Sequence, residues 1–240
     1  MTQSIKIKKN IFWSIIPAKE NSVRIKNKNI QKINGLMLFE YSVISSLKIK
    51  SIEKTFISTD SKYISNYSNK KYGKISPFLR PKKIALKNSN DFDYVIHFLK
   101  NIKKFYDYYP EYLVQLRPTT PFRDTRVIKD AMILINKNNN CTSLRSSSIF
   151  DHPPEKMFRS KGKYYTDIFH NKIKNEKSNL PSHYFKDTYL PNGYIDILKT
   201  KHILNKKNLY GNKILKFLTK KVLDIDTYED LIIAKKIFNK

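Results

Sequence analysis

The sequence has few of the residues that build disulfide frameworks or glycine-rich phosphate loops. It contains one cysteine, Cys141, and five glycines among 240 residues. A single cysteine excludes an internal disulfide and a thiolate-rich metal site, and it fits a reducing compartment. Five glycines leave neither a GxGxxG fingerprint nor a P-loop, so the sequence argues against a dinucleotide oxidoreductase and a P-loop kinase.

Acidic residues are also scarce, with 20 against 47 lysines and arginines, which gives a formal net charge of +27. Such a charge suggests a polyanionic partner such as nucleic acid. The lysines are dispersed among many asparagines and isoleucines, however, as the codons of an AT-rich genome would produce. We therefore favour genome bias over nucleic-acid binding.

Long hydrophobic runs are missing as well. No stretch approaches the roughly 18 apolar residues of a membrane span. Residues 1–10 are basic and have no apolar core followed by a cleavage site, so we see no secretory signal. We expect a cytoplasmic protein that does not bind membranes.

Apolar segments alternate in a way that predicts strands and helices in turn. The expected strands are 11–16, 54–59, 111–116, 191–197 and 221–226, and the expected helices begin near residues 36, 61, 92, 125 and 227. This alternation predicts an α/β fold with a mostly parallel sheet. We expect one domain over residues 1–240, in which the polar and irregular region 146–190 is an insertion that caps the site or pairs with another subunit.

A basic loop follows the first predicted strand. Lys19, Ser22, Arg24, Lys28 and Asn29 come directly after the strand that Pro17 ends. Loops at this position of α/β folds commonly bind nucleotides. Side-chain charge and loop amides would hold the phosphates in place of glycines. A solvated basic turn is the alternative.

Two aspartates, Asp224 and Asp226, end the last predicted strand. Side chains two apart on a strand point to the same side, so both carboxylates would face one cavity while Ile225 points into the core. Such a pair suits Mg²⁺, which takes few protein oxygens and completes its shell with water and phosphates. The same residues also suit a helix N-terminus capped by Asp226 or Thr227.

At this point the sequence shows a resemblance to a known family. The segment Ile16-Pro-Ala-Lys-Glu-Asn-Ser-Val-Arg-Ile-Lys-Asn-Lys-Asn29 resembles the nucleotide-binding signature of the acylneuraminate cytidylyltransferases. The resemblance continues in order over nearly the whole chain, through Ser58-Thr-Asp60, Leu79-Arg-Pro81, Arg117-Pro-Thr-Thr-Pro-Phe-Arg123, His152-Pro153 with Lys156, Leu180-Pro181, Asn192-Gly193 and Asp224-Ile-Asp-Thr227.

The resemblance implies a Rossmann-like nucleotidyltransferase with a three-layer fold, dimeric through the inserted region. The reaction it implies joins CMP from CTP to a nine-carbon 2-keto sugar acid and releases pyrophosphate, with Mg²⁺ as cofactor, for surface glycan synthesis. The sugar acid would be sialic acid or a relative such as legionaminate or pseudaminate. The partners implied are CTP, this sugar acid and a second copy of the chain.

The same resemblance assigns roles to individual residues. The nucleotide-binding positions are matched by Ala18, Lys19, Ser22, Arg24, Lys28, Asn29 and Arg80, the last of them near the cytosine. The catalytic positions are Lys19, Lys28 and Asp226, and the metal ligands are Asp224 and Asp226. The sugar side is matched by Arg117, Lys156, Lys177 and Asp196.

Several of these positions depart from the family's pattern. Lys19 and Lys177 stand where arginines are usual, Arg117 replaces a glutamine, and Asp196 replaces a tyrosine. We therefore expect a sialic acid relative whose carboxylate or polar substituent meets Arg117. The alternatives are another sugar nucleotidyltransferase of this fold, such as a Kdo cytidylyltransferase, and a basic binding protein without catalysis. Kdo enzymes carry Lys-Pro where this chain has Lys28 and Asn29, which favours the acylneuraminate branch.

Overall fold

The computed structural model describes residues 6–169 and 177–238, and the side chains of Lys177 and Phe238 are outside this description. The elements are, in chain order, β1 (Ile7–Pro17), β2 (Lys32–Ile33), β3 (Leu36–Met37), α1 (Leu38–Leu47), β4 (Ile52–Ser58), α2 (Lys62–Tyr72), α3 (Asp91–Ile102), β5 (Tyr109–Gln115), α4 (Thr125–Lys137), β6 (Ser143–Phe150), β7 (Phe158–Lys161), β8 (Tyr164–Asp167), β9 (Thr188–Lys199), α5 (Thr200–Lys206), β10 (Ile214–Leu218) and α6 (Tyr228–Phe238).

A six-stranded sheet forms the centre of the molecule, with the strand order β10-β6-β9-β5-β1-β4. The pairs β1–β4, β1–β5 and β6–β10 are parallel, whereas β9 runs antiparallel to both of its neighbours. The expected α/β fold with a mostly parallel sheet is therefore confirmed. None of the helices in the described ranges is long and apolar enough to cross a membrane.

Helices cover both faces of the sheet, which gives three layers. Along β1, Phe12 and Ile16 pack on one face with α1 and α4, while Trp13 and Ile15 pack on the other face with α3. A strand buried on both faces is apolar without interruption, because successive side chains alternate between two cores. The run 11–16 fits this pattern except for the buried Ser14, and β1 continues it back to Ile7.

A third, smaller core joins the beginning of the chain to its end. Ile25 and Leu38 pack with Ile225, Leu231 and Ala234, all of them nearly inaccessible to solvent. This contact holds the basic loop after β1 against the segment that precedes α6. The two stretches that the sequence marks as functional are therefore neighbours, although about 200 residues separate them.

The first helix begins later than its apolar spacing predicts. Leu36 and Met37 pair with Lys32 and Ile33 in a small hairpin, and α1 starts at Leu38. Asn34 and Gly35 make the turn with φ of 45° and 78°, the positive values that a tight hairpin needs. The carboxylate of Glu40, 1% exposed, accepts hydrogen bonds from the backbone N–H of Met37 and from Lys71.

The end of the chain also differs from the expectation. Residues 221–226 form no strand, and the last strand is β10, an edge strand that the sequence pattern does not reveal. Ile225 is nevertheless fully buried, as expected, and its N–H donates to the carbonyl of Thr119 over 2.7 Å. Asp230 and Thr227 exchange hydrogen bonds at the start of α6, so the helix N-terminus expected at Thr227 is present.

The irregular region has narrower limits than 146–190. Residues 146–150 belong to β6 and residues 188–190 to β9, so the main sheet continues into both ends of the region. Between them the structure describes the hairpin β7–β8 and short 3-10 turns. The role of this region as a cap or dimer contact stays a prediction.

Candidate active site

Six of the predicted site residues meet in one cavity. The cavity is lined by Lys19, Ser22, Lys28, Asn29, Arg80 and Arg117. Five of them come from the segments that follow β1 and β5, and Arg80, which lies between α2 and α3, donates its N–H to the Thr59 carbonyl just after β4. The strands β4, β1 and β5 are parallel neighbours, so they end at the same edge of the sheet. This edge is where α/β folds bind their ligands.

The basic loop is fixed to this edge by backbone contacts. Ala18 is fully buried, and its N–H donates to the carbonyl of Ser58 over 3.0 Å, which ties the end of β1 to the end of β4. The side-chain amide of Asn29 donates to the carbonyl of Lys19 over 2.7 Å. Ala18 and Asn29 therefore shape the loop, while the Lys19 side chain is left to reach a ligand.

Lys28 and Arg24 converge on Asp226. The Nζ atom of Lys28 lies 2.9 Å from Oδ1 of Asp226 and 3.0 Å from the carbonyl oxygen of Ile225. Nη2 of Arg24 lies 2.7 Å from Oδ2 of the same carboxylate. Lys28 is largely buried and lines the cavity, whereas Arg24 is mostly exposed outside it. Asp226 thus places one cation in the cavity wall and a second beside it.

The two expected metal ligands lie behind this wall. Neither Asp224 nor Asp226 lines the cavity, as far as the described residues define it, and Asp224 is exposed to solvent. Ile225 is buried between them, so both carboxylates point away from the core. The part of the chain that the structure describes has no group of three or more carboxylate, histidine or cysteine side chains able to hold a metal ion. Two carboxylates still fit Mg²⁺, which takes its remaining ligands from phosphates and water.

Arg80 is the most deeply buried cation in the cavity wall, at 6% exposure. Nε donates to the hydroxyl of Ser58 and Nη2 to the Ser58 carbonyl, over 3.1 and 2.5 Å. Its guanidinium lies 4.7 Å from the centre of the Tyr94 ring. Burial lowers the pKa of Arg80 from its usual value, but the group lies near several anions and stays charged at neutral pH.

Arg117 lines the cavity with its guanidinium already paired. It donates to Asp196 and to Asp91, both over 2.5 Å, and to the hydroxyl of Tyr210 over 3.2 Å. Arg145 donates to the other oxygen of Asp196 over 3.2 Å, and its guanidinium lies over the Tyr210 ring. Burial disfavours the charged form of Arg117, but Asp196 and Asp91 outweigh this, so its pKa stands above its usual value.

The remaining residues predicted for the sugar side lie elsewhere or outside the description. Nζ of Lys156 donates to the carbonyl of Leu180 over 2.9 Å, within the inserted region, and Lys156 does not line the cavity. Lys177 begins a short 3-10 turn. Asp196 is 1% exposed and reaches the cavity only through Arg117.

Among the lining residues that the sequence reasoning missed, Asp91 and Tyr94 carry ionisable side chains. They lie at the start of α3, where Asn90 caps the helix by accepting a hydrogen bond from the N–H of Asp93. The sequence marks this point as a helix start and gives no sign that it faces the ends of β1 and β5. Only the packing of α3 on the sheet brings it there.

The topology and the position of the cavity define an α/β protein whose candidate ligand site lies at the carboxyl ends of parallel strands. A solved structure of CMP:2-keto-3-deoxy-manno-octonic acid synthetase complexed with CTP has the same fold, with a TM-score of 0.68 at 12% identity over 95% of this chain and 98% of that one. The family model described as cytidylyltransferase matches residues 13–208. The chain therefore belongs to the cytidylyltransferase family, as its motifs predict.

Named relatives are similar over most of the chain. The N-acylneuraminate cytidylyltransferase of Escherichia coli is 29% identical over 95% of this chain. The chain spans only 52% of that protein's length. The CMP-N,N'-diacetyllegionaminic acid synthase of Legionella pneumophila is 28% identical over 93% of this chain and 94% of its own length.

Proposed function

We propose that this chain is a cytidylyltransferase that joins CMP from CTP to a nine-carbon 2-keto sugar acid and releases pyrophosphate. The observation that carries the proposal is the convergence of Lys19, Ser22, Lys28, Asn29 and Arg80 on one cavity at the ends of neighbouring parallel strands. The relatives' names favour sialic acid or legionaminate as the sugar acid.

The residues of the cavity suit the electrostatics of this reaction. In-line attack of the sugar hydroxyl on the α-phosphate gathers negative charge on phosphate oxygens, so catalysis depends on positive groups held in place beforehand. Lys28 meets this requirement because Asp226 and the Ile225 carbonyl fix its Nζ atom. Lys19 would reach the phosphates from the other end of the loop, and Arg80 would lie near the cytosine.

The proposal includes Mg²⁺ held by Asp224 and Asp226. When bound, the ion would neutralise phosphate oxygens and stabilise the pyrophosphate leaving group. Asp226 now accepts from Lys28 and Arg24. We propose that the triphosphate draws Arg24 toward its oxygens, which leaves Oδ2 of Asp226 free to take part in metal binding while Lys28 stays on Oδ1.

We also propose that two copies of the chain associate through the inserted region, in the cytoplasm where CTP is found. The hairpin β7–β8 exposes Phe158, Tyr164 and Tyr165, the last two at 67% and 71%. Phe158 and Tyr165 stack with ring centres 5.7 Å apart. Exposed aromatic side chains that pack on each other, as Phe158 and Tyr165 do, mark contact surfaces, and a second copy is the partner that the resemblance implies.

Pyrophosphate release tests the proposed reaction directly. Purified protein would be mixed with CTP, Mg²⁺ and one of four acids, N-acetylneuraminate, legionaminate, pseudaminate or Kdo. We expect release with at least one of the nine-carbon acids and little with Kdo. Release with Kdo alone would show that the chain has the substrate specificity of a Kdo cytidylyltransferase. No release with any acid would contradict the proposed function.

A further inference from the structure

The carboxylate of Asp91 is held in a fixed orientation in the wall of the cavity. Its Oδ2 atom accepts from Nη2 of Arg117 over 2.5 Å and from the side-chain amide of Gln115 over 3.0 Å. The Oδ1 atom accepts no hydrogen bond from the residues that the structure describes. Because Asp91 lines the cavity and is 39% exposed, this oxygen is available to a ligand.

Two further polar atoms near Arg117 have no hydrogen-bond partner within the described ranges. They are the hydroxyl of Tyr94 and Oε1 of Gln115, both buried. Leaving such a group unpaired costs roughly 1–3 kcal/mol, so buried polar atoms without partners indicate a place where a ligand or water completes the contacts. The Tyr94 ring lines the same cavity and lies beneath Arg80.

The ion pairs around Arg117 balance in charge. Two guanidinium groups, Arg117 and Arg145, face two carboxylates, Asp91 and Asp196. Tyr210 keeps its proton and donates to Asp196, because burial and the neighbouring carboxylate raise its pKa to about 12. A neutral cluster does not attract the carboxylate of a sugar acid, and its free atoms are mostly hydrogen-bond acceptors. It suits a ligand group that donates hydrogen bonds.

We propose that Asp91 accepts a hydrogen bond from the exocyclic amino group of cytosine and thereby makes the site prefer CTP to UTP, with Arg117 and Gln115 as positioning residues. This inference rests on the proposed function. The base end follows from the proposed function, in which Arg80 lies near the cytosine, and Arg80 contacts Tyr94, which lies about one helical turn from Asp91. Cytosine presents an amino group where uracil presents a carbonyl oxygen, so a carboxylate at this place pairs with the first and repels the second.

The experiment measures kcat/KM for CTP and UTP with wild type, Asp91→Asn and the control Asp93→Asn. The control removes the same charge from the same helix, at a residue that does not line the cavity. Asp91→Asn should lower the ratio of CTP to UTP efficiency about tenfold or more, because its amide can turn to donate to uracil. The control should leave the ratio unchanged, and the KM for the sugar acid should stay within about twofold in both variants.

Calorimetric titration of CTP and UTP without sugar acid provides a reading that needs no turnover. Wild type should bind CTP more tightly, and Asp91→Asn should reduce the difference about tenfold or more. Asp91→Ser, which removes the charge with a smaller side chain, serves as a second variant if Asp91→Asn is poorly folded. A preserved preference for CTP in the variants, or an effect confined to the sugar acid's KM, would overturn the inference. Wild type that binds CTP selectively but releases no pyrophosphate would instead contradict the proposed function alone.

Discussion

Loss of the Asp196 carboxylate should destabilise the protein strongly. Its side chain is 1% exposed and accepts from Arg117 at 2.5 Å, Tyr210 at 3.1 Å and Arg145 at 3.2 Å. Asp196→Asn leaves Arg145 without a carboxylate partner and leaves Arg117 with Asp91 alone. Removing one partner of a buried ion pair costs about 3–5 kcal/mol, because the remaining charge has lost its solvation and its partner.

Thermal unfolding measures this effect. In a domain of this size each kcal/mol lowers the melting temperature by about 2–4 °C, so the expected decrease is about 6–20 °C. The exposed pair Arg126–Asp124 supplies the control, and Arg126→Gln should leave the melting temperature almost unchanged. A decrease below about 3 °C for Asp196→Asn would refute the reasoning, since it would mean that water solvates the cluster freely.

A double-mutant cycle separates the ion pair from the size of the side chains. Arg117→Gln alone leaves Asp91 and Asp196 without their main partner, and it should destabilise about as much as Asp196→Asn. The double variant removes one charge of each sign and should be less destabilised than the sum of the two, by about 0.5–3 kcal/mol. Additive effects would show that Arg117 and Asp196 do not stabilise each other.

Three other predictions concern different parts of the molecule. Asp226→Asn should reduce pyrophosphate release at least about 100-fold while far-ultraviolet circular dichroism stays native, whereas Glu229→Gln, exposed on α6, should be active. Burial acts to raise the pKa of Glu40, but its hydrogen bonds outweigh this and hold the pKa below 4.5. The contribution of the Glu40 carboxylate to stability is therefore present above about pH 4.5 and is lost as the pH falls through its folded-state pKa. In Glu40→Gln the melting temperature should therefore fall less steeply at acid pH than in wild type. Tyr165→Glu should move the protein to a monomer in size-exclusion chromatography, and equal elution of Tyr165→Glu and the control Tyr63→Glu as dimers would contradict the proposed contact.

Local patterns were enough to predict most of the central layers. The run 11–16 and the run 111–116 became adjacent parallel strands, because short, mostly apolar runs of this length are typical of strands buried on both faces. Asp124 caps α4 as expected, since its carboxylate accepts from the N–H of Arg126. The six residues that meet in the cavity were predicted from motifs that occur in the chain in the same order as in the family.

The parts that were missed depend on packing between distant segments. The β10 segment Ile214-Leu-Lys-Phe-Leu218 is short and mostly apolar, and its exposed residues Ile214 and Leu218 are apolar as well, so it lacks the alternation of polar and apolar residues typical of an edge strand. The segment 221–226 has the apolar pattern of a strand, yet it is held by side-chain packing of Ile225 and by single hydrogen bonds. The partners of Arg117 come from β9, α3 and the segment before β10, and no short sequence window contains them.

The antiparallel strand β9 has a consequence for how the sheet assembles. Asp196 lies opposite Gln115 of β5 and opposite Arg145 of β6, so its charge sits at one defined place in the strand alignment. A slip of one residue would turn Asp196 to the face where Ile195 and Ile197 pack in the core. A carboxylate without a cation in an apolar environment costs several kcal/mol, so misaligned pairings of β9 would be strongly disfavoured. The ion cluster therefore also favours the correct alignment of β9 during folding, and an apolar residue at position 196 would remove this energetic preference.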